Sequence, residues 1–146
     1  MKATQNPPTT VEVSAADLLR MAALYLRRHG WHQGTYYAKN PDTLTPPACA
    51  VGAIGMACAG HRVEHFYGLD PDTQVTFRRI VGILTVYLDD HAPVLHVDED
   101  GYLLDEHTSP YSWNDDPART AEQVITALEA AATEWDSLRT TGGENA

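Results

Sequence analysis

Cysteine is scarce in this chain: Cys49 and Cys58 are the only two, and they lie nine positions apart in one apolar stretch. On a single helix that spacing separates them by about 13 Å and turns them to opposite faces. A disulfide needs Cα atoms within about 7 Å. Two free thiols are therefore expected, and with them a reducing compartment, read as the cytoplasm. Positive charge is also short, with ten Lys and Arg against twenty Asp and Glu, a net −10. Arg27-Arg28 and Arg78-Arg79 are the only adjacent basic pairs. Nucleic-acid binding normally needs a basic patch, so nucleic acid is not an expected partner. No apolar run approaches the roughly 20 residues of a membrane span. The opening MKATQNPPTTVEVS has no apolar signal core, so neither a span nor a secretory leader is expected. No Gly-x-Ser-x-Gly elbow and no phosphate-binding glycine loop occurs, which removes two common catalytic frames.

What is present reads as one mainly α domain over residues 14–139, flanked by flexible tails at 1–13 and 140–146. Its 146 residues, 43% of them hydrophobic, suffice for an ordinary core. About four principal helices are expected, with a minor β-hairpin or short strands. Ser14 opens the first helix as an N-cap, with Asp17 in the first turn. Leu18, Leu19, Ala22, Tyr25 and Leu26 share its apolar face, and Gly30 is a natural stop. Pro41, Pro46 and Pro47 then forbid a long regular element, although TYYAK has strand character. Asp70-Pro71 reads as an N-cap followed by proline at the first helical position. The helix it opens is apolar nearly all round and is expected to lie centrally. VLHV and YLL flank the turn-like DEDG and suggest the hairpin. Thr120 and Gln123 fit a capping box before the last helix, whose face runs through Ala121, Val124, Leu128, Ala131, Trp135 and Leu138.

The stretch CAVGAIGMACAG is the least ordinary. Nearly every side chain is small, and Gly52 and Gly55 each cost a helix about 1 kcal/mol relative to alanine. Close approach of a neighbouring backbone would offset that cost. A short buried helix is expected, nested against the first and last helices, with Gly60 at its end. Cys49 stands where this helix begins. First-turn N–H groups and the helix dipole would stabilise a thiolate there, making Cys49 a candidate nucleophile. Gln33-Gly34 could donate to an oxyanion, and Asn114 or Asp115 could orient an imidazole. None of the seven histidines sits in a recognisable nucleophile context. The other reading of Cys49 is a small buried apolar residue.

SWNDDPART admits two readings as well. Trp113 can anchor the loop in the core, Asn114 and Asp115 can bond local backbone, and Arg119 can bridge back to Asp115 or Asp116. Alternatively, Asn114, Asp115 and Arg119 grip a ligand's polar groups. No metal or cofactor is expected. HVDEDG places histidine where a calcium loop has its first aspartate. HRVEH fits an inverted zinc pattern of only three fixed positions.

Three segments taken in order, HGWHQG, CAVGAIGMA and WNDDPARTAEQVITALEAAA, resemble an uncharacterised family of small proteins from actinobacteria and their phages. The pattern is Gly-Trp-x-Gln-Gly, then Cys-Ala-x-Gly-Ala-Ile, then Trp-Asn-Asp with Arg-Thr before a final helix. Trp31, Gln33, Gly34, Cys49, Ala50, Gly52, Ala53, Ile54, Trp113, Asn114, Asp115, Arg119 and Thr120 match it. The resemblance spans roughly residues 14–138, and the chain departs from the pattern in a longer middle, about 92–111. It implies the helical fold and no established activity.

The expected function is a non-enzymatic binding or regulatory module for a protein, peptide or small molecule, in a phage–host setting. Trp31, Gln33, Cys49, Trp113, Asn114, Asp115 and Arg119 are its candidate ligand-binding residues. The alternatives are a cysteine-dependent hydrolase or acyl-transfer enzyme using Cys49, and an acidic decoy for a basic partner. All of them depend on the two tryptophan-bearing loops meeting at the amino end of the small-residue helix.

Overall fold

The first helix begins as its sequence dictates. Ser14 Oγ accepts the Asp17 N–H at 3.1 Å, and the Asp17 carboxylate accepts the Ser14 N–H at 3.3 Å, a reciprocal capping box. The computed structural model describes residues 13–39, 42–94, 97–103 and 107–144. Five α-helices follow in order: α1 (Ala15–His29), α2 (Ala50–Ala59), α3 (Pro71–His91), α4 (Pro110–Asn114) and α5 (Ala121–Glu144), with a 3-10 turn at Phe66–Gly68 before α3. The expected tail at 1–13 lies outside the described residues except for Val13. At the other end α5 continues through Glu144, past the expected boundary at 139.

The remaining punctuation also follows the chain. Gly30 ends α1 at φ +101°, and Gly60 ends α2 in the left-handed region at φ +79°, both conformations that favour glycine. Asp70 caps α3 by accepting the Thr73 N–H at 3.1 Å, with Pro71 next. Thr120 and Gln123 exchange the bonds of a second capping box.

α1 packs chiefly on α5 and α2, and α2 also touches α3 and α4. Leu19, Ala22 and Leu26 of α1 meet Val124, Leu128 and Ala132 of α5 in one core cluster. Arg20–Asp136 (2.8 Å) and Arg27–Glu129 (3.2 Å) bridge the same pair of helices at the surface. Such exposed pairs add little, because water and salt screen them. The most enclosed element is α2, whose residues from Ala50 to Gly55 are all buried. It takes the place expected for α3. Although α3 buries Phe77, Ile80, Ile83, Leu84 and Leu88, it leaves Val75 and Val86 more than half exposed.

Three further expectations need correcting. The glycines of α2 are approached by the segments flanking it rather than by α1 and α5: a Cβ on Gly52 would lie 2.3 Å from the Tyr36 carbonyl oxygen before the helix, and one on Gly55 would lie 3.2 Å from a Val63 methyl after it. The expected hairpin reduces, among the described residues, to a single antiparallel pairing of Val97 with Leu103. Val97, Tyr102 and Leu103 are all exposed, so no apolar face rewards a ladder. Asp98 Oδ1 instead accepts the Asp100 and Tyr102 N–H groups and shapes the turn locally. TYYAK likewise forms no ladder: Tyr37 and Trp31 each pair singly with Ala48.

Candidate functional site

The site grows from the amino end of α2. Cys49 is its N-cap residue, with Sγ accepting the Gly52 N–H at 3.3 Å. The Cys49 N–H donates to the Tyr36 carbonyl at 3.0 Å, fastening the preceding loop to the helix start. The next amide, that of Ala50, donates to Asn114 Oδ1 at 3.0 Å. A side chain from α4 thus caps α2 across 64 positions of sequence. Two of the first-turn amides that an incoming anion would use, those of Ala50 and Gly52, are thus engaged by protein groups.

Asn114 is fully buried and uses its whole hydrogen-bonding capacity. Its Oδ1 also accepts Trp31 Nε1 at 2.8 Å, while Nδ2 donates to the His32 carbonyl (3.1 Å) and Asp115 Oδ1 (2.9 Å). Gln33 Nε2 donates to the carbonyls of Asn114 (3.0 Å) and Asp116 (2.9 Å). The Gly34 N–H donates to Asp115 Oδ1 at 3.0 Å. Gln33 and Gly34, expected as oxyanion donors, therefore bind the 114–116 turn instead. Arg119 donates through Nε to the Trp113 carbonyl at 2.9 Å, and its guanidinium lies 4.3 Å from the Trp113 ring centroid.

Between these fastenings lies a cavity of about 350 Å³ lined by Gly34, Thr35, Tyr36, Cys49, Tyr111 and Asp115. That size falls at the small end of ligand pockets. The Tyr36 and Tyr111 rings form its aromatic wall, with centroids 6.0 Å apart at 44° and hydroxyls 3.3 Å apart. Burial raises both phenols' pKa values above the ordinary 10.0, and Tyr111 is raised further by its contact with Tyr36. Both rings are neutral at physiological pH. Burial likewise raises the Cys49 thiol, and the Asp115 charge pushes the same way, against the lowering effect of the Gly52 and Val51 N–H groups. Cys49 is thus a protonated thiol in the wall. No histidine is among the lining residues. His32, which is not a lining residue, contacts Thr35 Oγ1 through Nε2 at 2.9 Å.

The seven expected site residues divide three ways. Cys49 and Asp115 line this cavity. Trp31, Gln33 and Asn114 form the hydrogen-bonded seam beside it. Trp113 and Arg119 line a second cavity, of about 340 Å³, with Tyr87 and His91. Trp113 Nε1 is buried without a hydrogen-bond partner among the described residues. Tyr36 and Tyr111 were not among the expected site residues. The signal for Tyr111 was available in Ser109-Pro110, an N-cap and first-position proline. A helical turn there sets Tyr111, Asn114 and Asp115 on one side by their spacings of three and four. Among the described residues, no three His, Cys, Asp or Glu side chains cluster as a metal site would require. No helix there is long and apolar enough to cross a membrane.

A family model described as "Family of unknown function (DUF6197)" matches residues 10–134, and the chain belongs to that family. No curated protein and no solved structure matches the chain.

Proposed function

We propose that this member of a family of unknown function is a non-enzymatic binding module, with its ligand seated in the cavity at the amino end of α2. One observation carries the reading. Gly34, Thr35 and Tyr36 from one loop, Cys49 at the amino cap of α2, Tyr111 of α4 and Asp115 at its carboxyl cap surround one open space of ligand size. The hydrogen bonds fastening these segments together lie beside that space, so the cavity exists before a ligand arrives. Preorganisation of this kind lowers the cost of binding. The ligand is a small molecule or one side chain of a peptide. Cytoplasmic residence is supported by the two free thiols. The actinobacterial or phage setting is supported by the resemblance of the motifs.

The cysteine-enzyme alternative draws support from the Cys49 sulfur in the cavity wall. Against it stand the burial that keeps the thiol protonated and the lack of a histidine beside it. Asn114 spends its side-chain oxygen and nitrogen on the seam, and Gln33 its amide nitrogen, so Asn114 is not left to orient an imidazole nor Gln33 to donate to an oxyanion.

Three probes of one size test the reading: benzylamine, benzyl alcohol and benzoate. At least one is expected to raise the thermal midpoint of the wild-type protein in a dose-dependent way. Thr35→Trp, which fills the cavity, is expected to remove the shift. A shift of equal size in Thr35→Trp, or none with any probe, would overturn the reading.

A further inference from the structure

The geometry points to an organic cation as the ligand of this cavity: a protonated amine or a guanidinium on an apolar stem. This inference rests on the binding reading above and adds the ligand's charge.

Four observations converge. The lining contains one acidic side chain, Asp115, and no lysine or arginine. Both hydrogen bonds to that carboxylate, from the Gly34 N–H and Asn114 Nδ2, reach Oδ1. Among the described residues no donor is bonded to Oδ2, so the carboxylate is held in place with one oxygen free to accept. The helix end that would otherwise attract an anion is neutralised from within, because Asn114 Oδ1 and Cys49 Sγ take the Ala50 and Gly52 amides. Beside the carboxylate stand two tilted phenol rings. Rings in such an array attract a cation placed within about 6 Å of their faces, most strongly where water is excluded.

The chemistry selects against other ligands. An anion would meet the Asp115 charge with no compensating cation in the lining. A neutral polar ligand could bond the phenol hydroxyls but would leave the Asp115 carboxylate without a partner of opposite charge. A cation on an aromatic or alkyl stem uses every part of the wall: Asp115 for the charge, Tyr36 and Tyr111 for the face, Cys49 and Thr35 for the stem. The net charge of −10 raises the local concentration of such a ligand.

Isothermal titration with benzylamine, benzyl alcohol and benzoate separates charge from fit. At about 20 mM salt, benzylamine is expected to bind about tenfold more tightly than benzyl alcohol, with benzoate weakest. Asp115→Asn is expected to abolish the preference for the amine and leave benzyl alcohol unchanged. Tyr111→Leu is expected to weaken both. Raising salt to about 500 mM should narrow the amine preference through screening. An acetylated, amidated Gly-Lys-Gly peptide forms a further arm: binding it as tightly as benzylamine identifies a peptide side chain as the source, and weaker binding identifies a free amine. Equal wild-type affinity for amine and alcohol, or an amine preference surviving in Asp115→Asn, would overturn the cation. If all three aromatic probes fail to bind, the cavity reading falls with it. Should Asp115→Asn not fold by circular dichroism, the wild-type ratio of amine to alcohol decides alone.

Discussion

Asn114 Oδ1 and the backbone N–H of Ala50 are joined by a 3.0 Å hydrogen bond, in an environment where both residues are fully buried. This one contact makes the start of α2 depend on a side chain carried by α4. The same oxygen holds Trp31 Nε1, so the tryptophan loop, the small-residue helix and α4 share a single acceptor.

Asn114→Ala is therefore expected to be among the most damaging polar truncations in the chain. It strands the Ala50 N–H and Trp31 Nε1 and removes the donor to the His32 carbonyl. Each buried unsatisfied group costs about 1–3 kcal/mol, and about 3 kcal/mol is expected in total. Ser112→Ala, on the exposed side of the same helix, should change stability by less than about 0.5 kcal/mol. Urea denaturation of both variants checks the contrast.

The glycines should respond in a fixed order. Alanine at position 52 drives Cβ into the Tyr36 carbonyl oxygen at 2.3 Å, a backbone atom already holding the Cys49 N–H. A loss of about 3 kcal/mol is expected, since overpacking far exceeds the gain in helix propensity. At position 55 the nearest atom is a Val63 methyl at 3.2 Å, which can yield, and the effect should be small. At position 82 of α3 nothing lies within 4 Å. There alanine should stabilise by about 0.5–1 kcal/mol. Unfolding midpoints that failed to rank the variants 82, 55, 52 from most to least stable would contradict the packing described for α2.

Much of this was legible in the chain. Ser14, Asp70-Pro71, Thr120 with Gln123, Gly30 and Gly60 mark helix ends by local chemistry, and local chemistry is what a sequence displays. The expectation that the Trp31 and Trp113 segments meet at Cys49 was also sound, because polar residues in otherwise apolar surroundings must find partners. Their use was not legible. Asn114 and Gln33 look identical in sequence whether they bond a ligand or a carbonyl 81 or more positions away. The burial of α2 was legible in its apolar composition, but not that it is more enclosed than α3, because its small side chains give no amphipathic stripe whereas α3 is richer in bulky apolar residues. The hairpin failed for a third reason: alternation and turn signals predict pairing only where burial supports it.

Alkaline pH should destabilise the fold by a defined route. Burial pushes the Cys58 thiol from the ordinary 9.0 to about 11. It pushes Tyr37 from 10.0 to about 12, against the lowering effect of the Val63 N–H bonded to its hydroxyl oxygen. Both groups favour the neutral form when folded. Their stabilisation is complete below the unfolded values and is lost as pH rises through the folded ones. Unfolding free energy should decline from about pH 9 to about pH 12. Cys58→Ala should flatten the portion between about pH 9 and pH 11. A wild-type profile that is level across this range would contradict the burial of both groups.

Amide chemical shifts during a benzylamine titration offer the most direct test of the account as a whole. Perturbations are predicted to concentrate at Gly34, Thr35, Tyr36, Cys49, Tyr111 and Asp115, and to vanish in Thr35→Trp. Shifts confined to other surfaces, such as the groove where Val86 of α3 faces Leu138 of α5, or no saturable shifts at all, would contradict it.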